Sequence, residues 1–349
     1  MTNLRIAVLG AGANGGAIAA ALTDVGADAV AVDPWPAHVE RMRAEGLTVR
    51  DSEGRERVSP VRALHVCQLA EQRARFDIVV LGVKAYDTRW ACELVKPYLA
   101  DDGFIVGVQN GVTLDTVADI VGPDRSVGAV IEVAANLMQP GVVVQEAPMW
   151  LALGGETPAA QERASIAAEA LAPAATTVVV DDIRSAKWMK LVANACELVP
   201  SAILDLPLAE AISRPGIHEF MLATGEEALA VALRAGQRIV PIFGNDVDEA
   251  TLHPNRYVEH LLGVVLETYT SPTTLTTVLQ DWRKGRRAEI DQLNGYVVEM
   301  CAVDGGSATD EALDAPLNRR VLDLARAIEN GELQAGESLV PSLTGTETG

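Results

Sequence analysis

Lys190 and Asn194 stand four residues apart in the stretch Lys187-Trp188-Met189-Lys190-Leu191-Val192-Ala193-Asn194. On a helix that spacing puts both side chains on one face, where they can converge on one small ligand. An ammonium beside a carboxamide suits carbonyl chemistry. Reduction by hydride leaves an alkoxide that needs a proton, and a lysine whose pKa is lowered by partial desolvation can donate that proton and take it back in reverse. The commoner meaning of such a pair is two polar residues on a solvated helix face, and the apolar Trp188, Met189, Leu191 and Val192 tilt that balance only slightly.

Hydride chemistry needs a carrier, and the N-terminus offers a place for one. Gly10-Ala11-Gly12-Ala13-Asn14-Gly15 has the G-x-G-x-x-G spacing and sits between an apolar run, Leu4 to Leu9, and an Ala-rich run, Ala13 to Val25. That strand–turn–helix context is what makes the spacing a dinucleotide site rather than a structural turn. Gly10 permits the tight turn, Gly12 lets a pyrophosphate approach the backbone, and Gly15 lets the helix pack on the strand. Free amides at the helix N-terminus then favour the phosphates. Asp33 ends the next strand-like run, where a carboxylate can accept from adenosine ribose hydroxyls and repel a 2′-phosphate. Pro34, Trp35 and Pro36 bring no nearby arginine, so NAD is the expected cofactor and NADP the second option.

The elements around these residues follow two textures. Up to Asp181, Val- and Ile-rich runs alternate with Ala-rich ones: strands at 4–9, 29–32, 77–83, 104–108, 127–133, 142–145, 150–153 and 176–180, and helices at 13–25 and 88–99. That alternation is the pattern of a parallel sheet with crossover helices. The stretch from Gly46 to His65, with Asp51-Ser52-Glu53-Gly54 at its centre, reads as a β-hairpin excursion. Beyond Asp182 helical patterns dominate: 186–199, 217–235, 254–266 and 290–303. The fold class is therefore α/β, an N-terminal Rossmann-type domain over 1–181 followed by an all-helical C-terminal domain over 182–335. A loose tail is expected over 336–349.

Composition narrows the function classes. The 349 residues are 49% hydrophobic and 22% charged, enough to bury a large core. A formal charge of −20 argues against a nucleic-acid partner. The four cysteines and five histidines form no cluster with metal-ligand spacing, so no metal is expected. Glycines interrupt the apolar N-terminus and no run is long enough for a membrane span, which leaves a cytoplasmic protein with a small-molecule substrate as the expectation. The long apolar helices of the second half fit either a homodimer interface or an internal core.

Taken together, GAGANG at 10–15, VLGVKAYD at 80–87, VQNGV at 108–112, KWMKLVANA at 187–195 and LQDWRKGRRAEIDQLNG at 279–295 resemble the ketopantoate reductase family over nearly the whole chain. The resemblance implies a Rossmann domain joined to a helical one, with Lys190 as general acid and Asn194 orienting the substrate. It implies Lys84 near the cofactor, and Asn110 contacting the nicotinamide ribose and helping to place the lysine. Glu289 matches the family glutamate near the cofactor that pairs with the lysine, and Thr277 stands where the family has a substrate-binding serine. Leu198 replaces the family's second asparagine, Pro200 comes one residue late, and 244–272 is long for the family. The expectation is an NAD-preferring dehydrogenase of a small 2-hydroxy or 2-oxo acid, with a bulkier or more apolar side chain than ketopantoate. Ketopantoate reduction itself, a β-hydroxy acid dehydrogenase and a non-catalytic NAD-binding sensor are the alternatives.

Overall fold

In the computed structural model the described residues are 4–244, 247–248, 250–302 and 313–345. The chain divides into two compact units, Met1–Arg184 and Ser185–Gly349.

The first unit runs β1 (Arg5–Leu9), α1 (Ala13–Asp24), β2 (Asp28–Asp33), α2 (Pro36–Glu45), β3 (Leu47–Asp51), β4 (Glu56–Ser59), β5 (Ala63–His65) and β6 (Phe76–Leu81). It continues through α3 (Thr88–Val95), β7 (Leu99–Gly107), α4 (Leu114–Val121), β8 (Ser126–Glu132), β9 (Ala135–Gln139), β10 (Val142–Gln145), β11 (Trp150–Gly155), α5 (Pro158–Leu171) and β12 (Thr176–Val179). Eight strands form one sheet in the order β12-β11-β8-β7-β6-β1-β2-β5. From β5 to β8 every pairing is parallel, and the chain order reverses direction between β1 and β6. The antiparallel β8–β11 pairing then breaks the run. Alternate residues of β1 serve two cores: Ile6 and Val8 pack with Ile18 of α1, and Ala7 and Leu9 pack with Ala91 and Val95 of α3. A sheet covered on both faces needs strands that are apolar throughout, which is why these runs lack polar alternation.

The hairpin expected over 46–65 is present as the antiparallel β3–β4 pair, but β5 leaves it and joins β2 in the main sheet. The hairpin instead belongs to a second sheet, β4-β3-β10-β9. This sheet packs on α1, and a Cβ on Gly16 would approach Val143 Cγ2 at 3.1 Å and Leu47 Cδ2 at 3.4 Å. Sandwiched between two sheets, α1 must be built of small residues.

The second unit is helical. Its first helix, α6 (Ile183–Ile203), is buried without interruption from Ser185 onward. Around it come α7 (Leu208–Ala211), α8 (Ile217–Arg234), α9 (Pro254–Thr268), α10 (Thr277–Arg283), α11 (Asn294–Cys301), α12 (Pro316–Glu329) and α13 (Val340–Thr344). Gly225 gives α8 its close approach, since a Cβ there would meet Val258 Cγ1 at 2.6 Å and Cys196 Cβ at 3.3 Å. Pro200 cannot donate a helix bond. Two other carbonyls of α6 accept side-chain bonds: Asn294 Nδ2 donates to Ala195 at 3.0 Å and Thr276 Oγ1 to Leu198 at 3.1 Å. The apolar faces of α8 and α9, including Ile217, Met221, Tyr257 and Leu261, are buried inside this unit.

Two expectations need correction. The helix expected from Ile290 begins only at Asn294, because residues 290–293 turn the chain so that Asn294 reaches α6; Val303, its expected end, lies outside the described residues. The tail expected to be loose is ordered over 337–344, where Leu343 is buried and Arg320 donates to its carbonyl at 2.9 Å. Residues 346–349 lie outside the described residues.

Candidate active site

In the first unit the expected cofactor residues gather at the carboxyl ends of adjacent parallel strands. Gly10 to Gly15 follow β1, Asp33 closes β2, Lys84 follows β6 and Asn110 follows β7. The ends are level: Gly10 N donates to Val32 O and Gly82 N to Leu9 O, each at 2.8 Å, and Val108 N donates to Leu81 O at 3.2 Å. A reversal of strand order at these ends is where open α/β sheets bind ligands.

The three glycines differ in what they permit. Gly10 has φ +91°, and a Cβ there would lie 2.5 Å from Val83 N; on Gly15 it would lie 2.0 Å from Gly10 O. Both are demanded by packing. A Cβ on Gly12 would meet nothing within 4 Å, so its neighbourhood is open. Gly12 also precedes the first turn of α1, which carries no acidic residue and no side-chain cap, leaving its amides available to an anion.

Asp33, 7% exposed, does more than end a strand. Its Oδ2 accepts the Ala11 amide and its Oδ1 the Trp35 amide, both at 2.8 Å. A carboxylate is an acceptor at about four lone-pair sites, so ribose hydroxyls suit it by the same chemistry as these amides. His38, which sequence reasoning missed, fixes the same loop. Gly141 N donates to its Nδ1 at 2.8 Å, so Nε2 carries the proton and donates to Ala11 O at 2.8 Å. Trp35 stacks on His38 with centroids 5.8 Å apart. Behind Asn110, the buried Gln109 donates to Thr88 Oγ1 at 2.7 Å and accepts from Thr113 at 3.4 Å, bracing the turn against α3 and α4.

In the second unit, Lys190 and Asn194 lie on α6, 7% and 0% exposed, so the solvated-face alternative does not hold. They belong to a buried polar stripe at helical spacing, with Lys187, Glu197 and Ser201. Burial pushes the Lys187 ammonium down to about 7; the Glu289 carboxylate opposes that shift and the charge of Lys190 adds to it. The lowering that desolvation imposes on a lysine is thus found at Lys187, a residue the sequence reading passed over. Lys190 Nζ stands 5.1 Å from the centroid of Phe243, whose ring lies 5.9 Å from that of Tyr269. Neither aromatic was singled out from sequence.

Glu289 sits in the turn between α10 and α11 and is buried, while Arg286 and Arg287 beside it are exposed. Leu198 is buried one turn beyond Asn194. Thr277, the position carried over from the family, is half-buried at the first residue of α10. The buried hydroxyl is that of Thr276, which contacts Ser201 Oγ at 3.3 Å. Within the long segment 244–272, Asn245, Asp246 and Glu249 lie outside the described residues.

Among the described residues no helix is long and apolar enough to cross a membrane. The sequence matches the family model "Ketopantoate reductase PanE/ApbA" over residues 6–156 and "Ketopantoate reductase PanE/ApbA C terminal" over 182–329. A 2-dehydropantoate 2-reductase of Mesorhizobium japonicum is 29% identical over 343 residues, covering 92% of this chain and 98% of that one. A crystal structure of a PanE/ApbA family ketopantoate reductase from Ralstonia eutropha JMP134 is 27% identical with TM-score 0.77, covering 94% of this chain and 99% of that one. D-mandelate dehydrogenase, in a ternary structure with NADH and anilino(oxo)acetate, shares the fold at TM-score 0.81 and 20% identity, with coverage of 94% and 99%.

Proposed function

The chain belongs to the ketopantoate reductase family, and from that premise we propose that it is an NAD-preferring dehydrogenase of a small 2-hydroxy acid with an apolar side chain. It is an oxidoreductase that uses a nicotinamide cofactor on a CH–OH or keto group. The observation that carries the dehydrogenase chemistry is the buried Lys190–Asn194 pair on α6, with Glu289 in the same buried group of charges.

When bound, the dinucleotide supplies or accepts the hydride. The open space at Gly12 and the uncapped first turn of α1 fit its phosphates, and Asp33 fits the adenosine ribose. Asp33 also supports NAD over NADP. A 2′-phosphate would meet its charge, and residues 34–40 include no lysine or arginine to compensate. Lys84 and Asn110, at the ends of β6 and β7, are assigned to the nicotinamide end.

On the second unit, Lys190 Nζ gives a proton to the carbonyl oxygen as it becomes an alkoxide, and takes one from the hydroxyl in the oxidative direction. Asn194 holds the substrate by its carboxamide, one turn along the same face. Glu289 places a negative charge in the same buried group and opposes the loss of charge that burial imposes on Lys187. Thr277 offers a hydroxyl to the substrate. Leu198 offers no hydrogen bond where the family has an asparagine, which favours substrates without a side-chain hydroxyl.

Ketopantoate reduction is the second reading, favoured by the activity named for the Mesorhizobium relative. Initial rates with ketopantoate and a panel of 2-oxo acids, each with NADH and NADPH, separate the two. Lys190→Met should lose about 10²-fold or more in turnover with NADH binding retained. Equal or better efficiency with NADPH removes the NAD preference, and an active Lys190→Met variant removes the proton-transfer role.

A further inference from the structure

Among the described residues, only Asp205 and Phe243 combine a side chain other than hydrogen with a left-handed backbone, at φ +53° and +69°. For a bulky residue that conformation is strained, and it persists only where the surroundings over-determine it. Here they do. The Arg238 amide donates to Ser185 Oγ of α6 at 2.9 Å, and the buried Tyr257 hydroxyl of α9 donates to the Val240 carbonyl. Ile242 is 3% exposed and Phe243 4%. The segment is thus pinned to α6 and α9, with the Phe243 ring centroid 5.1 Å from Lys190 Nζ and 5.9 Å from the ring of Tyr269.

A carbonyl that takes a proton from Lys190 must come within about 3 Å of Nζ. Groups attached to that carbonyl on the ring's side of Nζ would then come within van der Waals reach of Phe243. A ring face offers dispersion contact and no hydrogen-bond partner for a hydroxyl, so a side chain bearing one loses its water there without replacement.

Resting on the dehydrogenase reading above, we propose that Phe243, backed by Tyr269, is the specificity wall of this site. It selects 2-oxo acids whose side chain is wholly apolar, branched or aromatic, over the hydroxylated side chain of ketopantoate. Leu198, in place of the family asparagine, works in the same direction.

The test compares ketopantoate with 3,3-dimethyl-2-oxobutanoate, which differs from it only by the missing hydroxyl, and with phenylglyoxylate. Wild-type protein, Phe243→Gly and Phe243→Asn are assayed with NADH. Both replacements tolerate φ +69°, so relief of strain favours folding, and thermal melting checks that it is kept. The wild type should favour the two apolar acids by about 10-fold or more in kcat/KM. In both variants the preference should collapse toward unity, chiefly through a higher KM for the apolar acids, with the NADH dissociation constant unchanged. A wild type that reduces ketopantoate as well as its deoxy analogue overturns the wall and leaves the dehydrogenase reading intact. So does a preference that survives in both folded variants. No turnover of any of the three acids overturns the dehydrogenase reading and the wall with it.

Discussion

Replacing Lys187 with methionine should flatten the dependence of stability on pH between 7 and 9. Burial lowers the Lys187 ammonium from 10.5 to about 7 in the folded protein, while the unfolded chain keeps an ordinary lysine. Between those values the unfolded state binds a proton that the folded state has released, so stability rises with pH. The slope approaches about 1.4 kcal/mol per pH unit, and because the group is only half-titrated at 7, the rise from pH 7 to 9 is about 2 kcal/mol. Below 7 both states hold the proton, the cost of burying the charge is fully present, and the contribution stops changing. Above 9 another process intervenes. Burial pushes the Cys92 thiol up to about 12 and raises Cys196 as well, so unfolded thiols ionise first and stability falls. Methionine keeps an unbranched apolar stem of similar length without the charge. The assay is urea unfolding of both proteins at pH 7 and 9, with equal m-values as the check that the same transition is compared. The wild type should gain about 2 kcal/mol more than Lys187→Met over that interval. Identical pH dependence would refute the reasoning, because it would mean that Glu289 holds Lys187 charged at pH 9.

The glycines of the first loop should separate by role. Gly15→Ala, whose Cβ would lie 2.0 Å from Gly10 O, should fail to fold or melt far below the wild type, whereas Gly12→Ala should melt normally and bind NADH at least about 10-fold more weakly by fluorescence titration. His38→Phe keeps a ring against Trp35 but leaves Ala11 O and Gly141 N without their partner, so it should cost about 2–4 kcal/mol in urea unfolding and weaken NADH binding. Glu227 accepts from the Leu317 and Asn318 amides and from Asn318 Nδ2, all at 3.0 Å, at the start of α12. Glu227→Ala should cost about 1–3 kcal/mol of stability while the Michaelis constants stay within about twofold, a result that calorimetry and steady-state rates check together.

What could be read from the chain was what local geometry dictates. The G-x-G-x-x-G turn, the strand runs on either side of it and the β3–β4 hairpin all depend on contacts close in sequence. The four-residue spacing of Lys190 and Asn194 fixes a shared helix face wherever that helix packs. Helix α2 escaped notice because Pro34, Trp35 and Pro36 resemble a turn, and because its buried face is only His38, Val39 and Met42. Residues 290–293 misled in the opposite sense, since Ile290 and Leu293 fit a buried helix face as well as the half-buried turn they form. Family resemblance supplied Glu289, which composition alone would have left in a solvated Arg/Lys cluster. Burial and pairing were decided only by the tertiary structure. Packing around α6 sinks Lys187 beside Glu289, the β9–β10 turn presents Gly141 to His38, and ties to α6 and α9 hold Phe243 over Lys190. Residue type and helical period set what a side chain can do within its own element, but its dielectric surroundings and its partners come from segments far along the chain.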